Sequence, residues 1–400
     1  MQDLFSGLVQ EVAPQVIAFR RELHAHPELS FQEHETARRI RDRLGQIANL
    51  QVLPPYIETD VVAVLNADMP GPCILLRADI DALPIQEETG VPYASTRQGV
   101  MHACGHDGHA ATLLGTAMVL SRVADQLPGK VKFVFQPAEE DGGGGGVLCE
   151  RGVLDEPKVD AAVALHAWPY EPVGSIAIRP GWVMAASNPF KVSIQGVGSH
   201  GAYPHRGIDS IVVAAHIITA LQTIVSRTID PQDAAVVTIG QIHAGTAENI
   251  IPARAEMEGT MRYTRLELGE QLRQRLSRII EHTAQAHGAT ARVEIIDGYP
   301  PMYNDDDLSA LITTTGRELL GEANVVTAVP VSMGVEDFAY YAQKVPAAMF
   351  RLGVRPVASD SYPSLHNPAF NFNDDALPIG IRMFCEIATR FLRAGGRGTK

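Results

Sequence analysis

One short stretch, Met101-His102-Ala103-Cys104-Gly105-His106-Asp107-Gly108-His109, sets three histidines, a cysteine and an aspartate between an apolar run and a helical one. Thiolate and neutral imidazole are good ligands for zinc and similar transition metals, and a glycine between Cys104 and His106 allows both to converge from a tight turn. The competing reading makes Cys104 a small buried hydrophobe and the histidines packing or capping groups. A second signal, Gln136-Pro137-Ala138-Glu139-Glu140-Asp141, ends the apolar run VKFVFQ. Adjacent carboxylates at a strand end point in different directions, so one can bind a metal while its neighbour handles protons. On its own, this stretch reads better as a solvated acidic turn before a glycine-rich loop; it does not stand alone.

His166, after the run VDAAVAL, and His366, in Ser364-Leu365-His366-Asn367-Pro368, occupy comparable places. With Cys104, His106 and Glu140 they make five candidate ligands from four loops, enough for two ions that share one ligand and leave room for water and substrate. Asp79 and Asp81, in Leu76-Arg77-Ala78-Asp79-Ile80-Asp81, end another strand and share a face at a spacing of two. They can orient the histidine ligands from behind, or cap a turn with Arg77 as a plain ion-pair partner.

These residues need a frame to bring them together. The runs DVVAVL (60–65), CILLRA (73–78), VKFVFQ (131–136) and VDAAVAL (159–165), with a helical stretch over 108–123, predict α/β architecture, a mixed, largely parallel sheet flanked by helices. Two helices lead in, interrupted by Pro27, and an amphipathic helix over 375–392 closes the chain. From Asn188 the order strand, helix, strand, strand, helix, strand predicts an inserted α+β sandwich. The domains expected are therefore 1–184, the insertion 185–298, and 299–400 returning to the first.

Composition agrees with a folded globular protein: 46% hydrophobic and 20% charged residues. Thirty-three basic against 46 acidic residues leave a net charge of −13, which argues against nucleic acid or an anionic membrane as partner. The N-terminus lacks the basic-then-apolar order of a signal peptide, and no apolar run approaching the roughly 20 residues of a membrane span is evident. Cys73, Cys104, Cys149 and Cys385 are far apart, as expected of reduced thiols in a cytoplasmic protein.

The blocks RADIDALPIQEETG, MHACGHDGH, FQPAEE, LHAWP, GSHGAYPH, GTAENIIPARAEMEGTMR, MGVEDFAYY and LHNPAFNFNDDALPIG run in order from Arg77 to Gly380. In them the chain resembles the dinuclear aminoacylase and carboxypeptidase family, in its branch of hippurate hydrolases, auxin-conjugate hydrolases and N-acetyl-diaminopimelate deacetylases. The resemblance implies a zinc-peptidase-like catalytic domain with a ferredoxin-like lid or dimerisation domain, and two divalent cations per chain. Zinc or manganese is expected first, while cobalt or nickel also suits the donors. It implies Cys104, His106, Glu140, His166 and His366 as ligands, Glu139 as general base and Asp81 in support. Asp141 departs from the glycine that branch members often carry.

The resemblance also implies that a lid histidine, His200 or its rival His205, reaches an active site, often that of a partner subunit. Asn249 and Arg262 are candidates for gripping the substrate carboxylate, a strand-end salt bridge with Glu256 or Glu258 being the rival reading for Arg262. The implied activity is hydrolysis of small N-acyl amino acids by a homodimer or homotetramer. A dipeptidase, a diaminopimelate deacetylase or a catalytically silent metal-binding relative are the alternatives.

Overall fold

The computed structural model describes residues 2–396, which divide into two compact units. The first comprises the chain up to Gly181, Tyr303–Pro330 and the chain from Tyr340, and the second comprises Trp182–Met302 with Val331–Ala339. The excursion of 331–339 into the second unit is not visible in sequence. It is carried by backbone pairing, the amide of Ala185 donating to the carbonyl of Ser332 at 3.0 Å, with Met184 bridged to Ser332.

The first unit is built on an eight-stranded sheet in the spatial order Leu50–Val52, Val61–Leu65, Lys130–Gln136, Cys73–Asp79, Ala161–Pro172, Ala347–Arg355, Ile176–Ala177, Val325–Val326. Its four central strands, from Lys130–Gln136 to Ala347–Arg355, are parallel. Every residue of Val61–Leu65 and Cys73–Asp79 is buried, as expected where helices cover both faces and the strand sequence is a continuous apolar run. Helices Gln2–Ala25, His106–Ser121, Asp306–Leu320 and Leu377–Arg393 supply that cover. The register pairs Asp79 with Gln136 and Arg77 with Ala164. Asp79, Gln136 and His166 therefore lie at one level, where the strands of Asp79 and Gln136 end at the carboxyl end of the sheet while that of His166 runs on to Pro172.

The second unit is a β-α-β-β-α-β sandwich. Its sheet runs Ala235–Ala244, Arg254–Tyr263, Ala186–Gln195, Thr290–Ile295, antiparallel throughout, which is the ferredoxin-like arrangement expected from sequence. Burial alternates strictly along the last residues of Ala186–Gln195, so one face is covered and the other is open. Helices Ser210–Thr228 and Leu266–Ala286 provide the cover, through Val213, Ile217, Leu221 and Leu272, Leu276, Ile280. Asp209 caps the first of them, its carboxylate accepting from the amides of Ile211 and Val212. This helix corrects one sequence expectation: at 19 residues it is long and apolar enough to cross a membrane. One face of it packs into the second core through Val213, Ile217, Leu221 and Ile224, while Ile211 and Val212 are exposed.

Candidate metal centre

All five ligand candidates belong to the first unit. Gly105 precedes helix His106–Ser121 with φ +87°, a left-handed conformation, and a Cβ there would lie 3.0 Å from that of Ala167. This turn lets Cys104 and His106 face the same space. Ala138, with φ +57°, makes a corresponding left-handed turn before Glu139 and Glu140, and His366 is itself left-handed at φ +64°. Non-glycine residues hold this conformation only where their surroundings impose it. Here the amide of His366 donates to the carbonyl of Ala103 at 2.9 Å, tying its loop to the cysteine turn.

The donor atoms converge in overlapping threes. Cys104, His106 and His166 form one group, Cys104, Glu140 and His366 a second, and His106, Glu139 and Glu140 a third, the atoms within each lying inside 4.8 Å of one another. Cys104 Sγ is 3.5 Å from His166 Nε2, and Glu140 Oε1 is 3.2 Å from His366 Nε2 and 3.8 Å from His106 Nε2. Cys104, His106, Glu139 and His166 are buried, while His366 sits half open at the rim.

The ring orientations are those a cation requires. His106 Nδ1 donates to Asp81, to its carbonyl at 3.0 Å and Oδ1 at 3.1 Å, which turns Nε2 inward. That Nε2 is buried and makes no hydrogen bond, an orphaned polar atom aimed into the cluster. His166 Nδ1 donates to the carbonyl of Ala167 at 2.8 Å, leaving its Nε2 toward Cys104. A thiol, three imidazoles and a carboxylate in two groups sharing one sulfur suit a pair of divalent cations, and the buried orphan on His106 fits such occupancy.

Electrostatics point the same way. Burial alone would lower the pKa of His106, but Asp79, Asp81 and Glu140 overcome it and raise the value to about 10. Burial, with Glu140, Glu139 and Asp79 nearby, pushes the Cys104 thiol well up. Both groups hold protons in a negatively charged pocket where a metal would displace them. Asp81 is itself held low, against its burial, by the hydrogen bond and charge of His106. Its Oδ2 accepts from the amide of Glu140 at 3.0 Å and from Ser30 Oγ at 2.8 Å. Asp79 divides its carboxylate between Arg77, at 2.6 Å, and His109 Nδ1, at 2.5 Å, so the two acids have different duties. Asp141 is exposed.

Several groups have roles that the sequence reading did not assign. His109 is no ligand candidate by orientation: it donates to Asp79, and its Nε2 accepts from the amide of Ala167 at 2.7 Å. Behind the cluster, Asp107 Oδ2 meets Arg20 Nε at 2.7 Å and His24 Nδ1 at 2.8 Å, all fully buried, and Arg20 also bonds Asn371. Ser30 and Glu33 come from Glu28-Leu29-Ser30-Phe31-Gln32-Glu33, read from sequence only as an interruption between helices. The available signal was polar residues alternating with Leu29 and Phe31 after a proline.

The remaining candidates lie in the second unit. His200 is exposed, its Nδ1 accepting from the amide of Ala202 at 3.0 Å, and pairs in sequence register with Ile250. With Asn249 and Arg254 it lines an open groove of about 730 Å³. Exposed His205 packs edge-on to Tyr203. Arg262 Nη1 donates to the carbonyl of Met333 at 2.9 Å, and Glu258 pairs with Lys191 instead, so the expected rival pairing of Arg262 with Glu258 is not made.

Residues 75–390 match the model of peptidase family M20/M25/M40. An N-acetyl-L-cysteine deacetylase of Bacillus subtilis (strain 168) is 40% identical over 378 residues, 94% of this chain and 88% of that protein. An N-acyl-L-amino acid amidohydrolase of Geobacillus stearothermophilus is 44% identical over 301 residues, 75% of this chain and 80% of its own. A solved Bacillus subtilis structure, described as a dinuclear metal binding peptidase from the M20 family, superposes with a TM-score of 0.84 at 37% identity, covering 96% of this chain and 99% of that one. With a family match across most of its length and donors already gathered at one end of its sheet, the chain belongs to peptidase family M20/M25/M40 and is an amidohydrolase of that family.

Proposed function

We propose that this protein hydrolyses the amide bond of small N-acyl amino acids, with N-acetyl and N-benzoyl compounds as the first substrates to try. The observation that carries the reading is the pair of donor groups sharing Cys104, with Glu139 in a third group that also contains His106 and Glu140. Cys104, His106 and His166 would hold one cation and Cys104, Glu140 and His366 the other. When bound, such a pair supplies an acidified water and a positive field for the developing oxyanion.

The chain's own residues supply the proton handling. Glu139 is 6% exposed and stands beside two ligand candidates, a place from which a carboxylate takes a proton from the attacking water and returns it to the leaving amine. That return matters because an amine is a poor leaving group until protonated. Asp81 keeps His106 in the tautomer that faces inward. In the second unit, His200 and Asn249 are among the polar groups of a mostly apolar groove, and Arg262, whose Nη1 is taken by the carbonyl of Met333, keeps its other guanidinium donors for the substrate carboxylate. The names of the two sequence relatives support the substrate class.

The test is a panel of N-acetylcysteine, other N-acetyl amino acids, hippurate, N-acetyl-diaminopimelate and dipeptides, run alongside metal analysis. Turnover of acyl amino acids with about two metal equivalents per chain is expected, whereas exclusive cleavage of dipeptides overturns the substrate class. Glu139→Ala should keep its metal and lose about 10²–10⁴ in kcat, the usual worth of a general base. A variant rate equal to that of the wild type defeats the role.

A further inference from the structure

We infer that Glu33 is a positioning residue for Glu139, fixing through the amide of Ala138 the left-handed turn from which Glu139 and Glu140 project. The inference rests on the hydrolytic reading above and adds to it a residue outside the donor cluster.

Glu33 is fully buried, and its Oε1 accepts the Ala138 amide at 2.8 Å across 105 positions of sequence. Ala138, also fully buried, is an alanine at φ +57°, a conformation that costs roughly 1 kcal/mol and persists only when the surroundings insist on it. Two hydrogen bonds do so: Glu33 takes the N–H, and the Ala138 carbonyl accepts from the amide of Gly144 at 2.9 Å. Gly144 approaches so closely that a Cβ would sit 1.9 Å from the carbonyl oxygen of Pro137. The two peptides flanking Ala138 are thus each held by one hydrogen bond, which fixes the turn from which the Glu139 side chain projects.

The location of Glu33 makes this use of its side chain informative. It stands at the N-cap of helix His34–Leu44, yet its side chain caps nothing. The amide of Thr36, the orphan such a cap would satisfy, is taken by Glu28 Oε2 at 2.8 Å. Glu28 thus frees Glu33 for the distant turn. Burying a second carboxyl near Asp81 is costly, and burial and Asp81 together raise its pKa to about 7. A residue chosen for helix stability alone would not be placed there. The same segment provides a second brace, because Ser30 Oγ donates to the Asp81 oxygen that also accepts the Glu140 amide. One six-residue stretch therefore holds both ends of the Ala138-Glu139-Glu140 turn.

Reach, rather than charge, should decide activity. Glu33→Gln keeps an acceptor oxygen at the same distance, Glu33→Asp keeps the carboxylate but withdraws it, and Glu33→Ala removes it. The experiment measures kcat, KM and bound metal for each in the full-length, metal-loaded protein, with N-acetylcysteine and hippurate as substrates. Glu33→Gln is expected to retain kcat within about threefold. Glu33→Asp and Glu33→Ala should lose roughly 10- to 100-fold in kcat, with KM within about threefold and metal content unchanged, the scale found when groups orienting a metal site are removed. Should Glu33→Ala fail to fold, the Gln and Asp pair still decides. The inference is overturned by a Glu33→Asp rate matching wild type, by a Glu33→Gln loss as large as that of Glu33→Asp, or by losses that track lost metal. A wild type inactive across the substrates defeats both readings, whereas an active wild type with an unperturbed Glu33→Asp defeats this one alone.

Discussion

The donor residues of the first unit and the candidate binding residues of the second are held in opposite ways. Cys104, His106 and His166 are buried, and the two imidazole rings are oriented by Asp81 and the carbonyl of Ala167, both buried. His200, His205 and Asn249 are exposed, and His200 is oriented by the amide of Ala202, its short strand pairing and the ring of Tyr203, itself exposed. The contrast separates two demands. A metal pair needs donors fixed before it arrives, because a misplaced donor costs affinity, whereas groups that meet a substrate can afford to adjust when it binds.

The sharpest way to break this comparison is to attack the bracing behind the metal cluster. Asp107 adjoins His106 and meets Arg20 and His24 where all three are fully buried. Burial alone would raise its pKa, but Arg20 and His24 hold it well below the usual carboxylate range. Removing one partner of such a pair leaves a buried charge uncompensated, and Asp107→Ala should destabilise by about 3–5 kcal/mol. Arg20 would keep Asn371 and a 3.4 Å approach to Asp374, which puts the loss toward the lower end. Urea unfolding of the metal-free protein measures it, and a loss below about 1 kcal/mol would mean that the cluster is not braced from behind.

How far the sequence reveals each region follows from the range of the interactions. Apolar runs such as Val61–Leu65 and the alternation in Ala186–Gln195 are local patterns, so both sheets were legible. The donors were legible too, because cysteine, histidine and paired carboxylates at strand ends are unusual enough to stand out one by one. The bracing was not. Glu33 meets Ala138 and Arg20 meets Asn371 across long gaps in sequence, and no periodicity links them. The left-handed Ala138 and His366 were equally hidden, since neither is the glycine or asparagine that usually announces that conformation. Assignment of 331–339 to the second unit rests on a few backbone bonds that leave no compositional trace.

A smaller effect tests the charge of the donor pocket. His106 has a folded-state pKa raised to about 10 against an ordinary value of about 6.5, so in the metal-free protein its contribution to stability is full below about pH 6.5 and is lost as pH rises toward 10. The Cys104 thiol, pushed up by burial and its acidic neighbours, keeps its proton over the same range. Metal binding must expel these protons, and each one expelled makes binding more favourable by about 1.4 kcal/mol per pH unit. The gain in melting temperature on adding zinc or manganese should therefore grow between pH 6 and pH 9. A gain that is flat or shrinks with pH would show that these two groups are not displaced.

The smallest expected change in stability sharpens the other side of the comparison. His200 is exposed, buries no partner and accepts one backbone hydrogen bond, so His200→Ala should leave unfolding free energy within about 0.5 kcal/mol of wild type. If its place in the groove with Asn249 serves the substrate, kcat/KM must nevertheless fall, with bound metal and melting temperature unchanged. That combination, activity lost at constant stability, is the converse of Asp107→Ala, in which stability is expected to fail first. Full activity in His200→Ala, together with a loss in His205→Ala, would move the role along the same loop to the rival histidine. Full activity in both would leave the second unit's groove without a part in turnover.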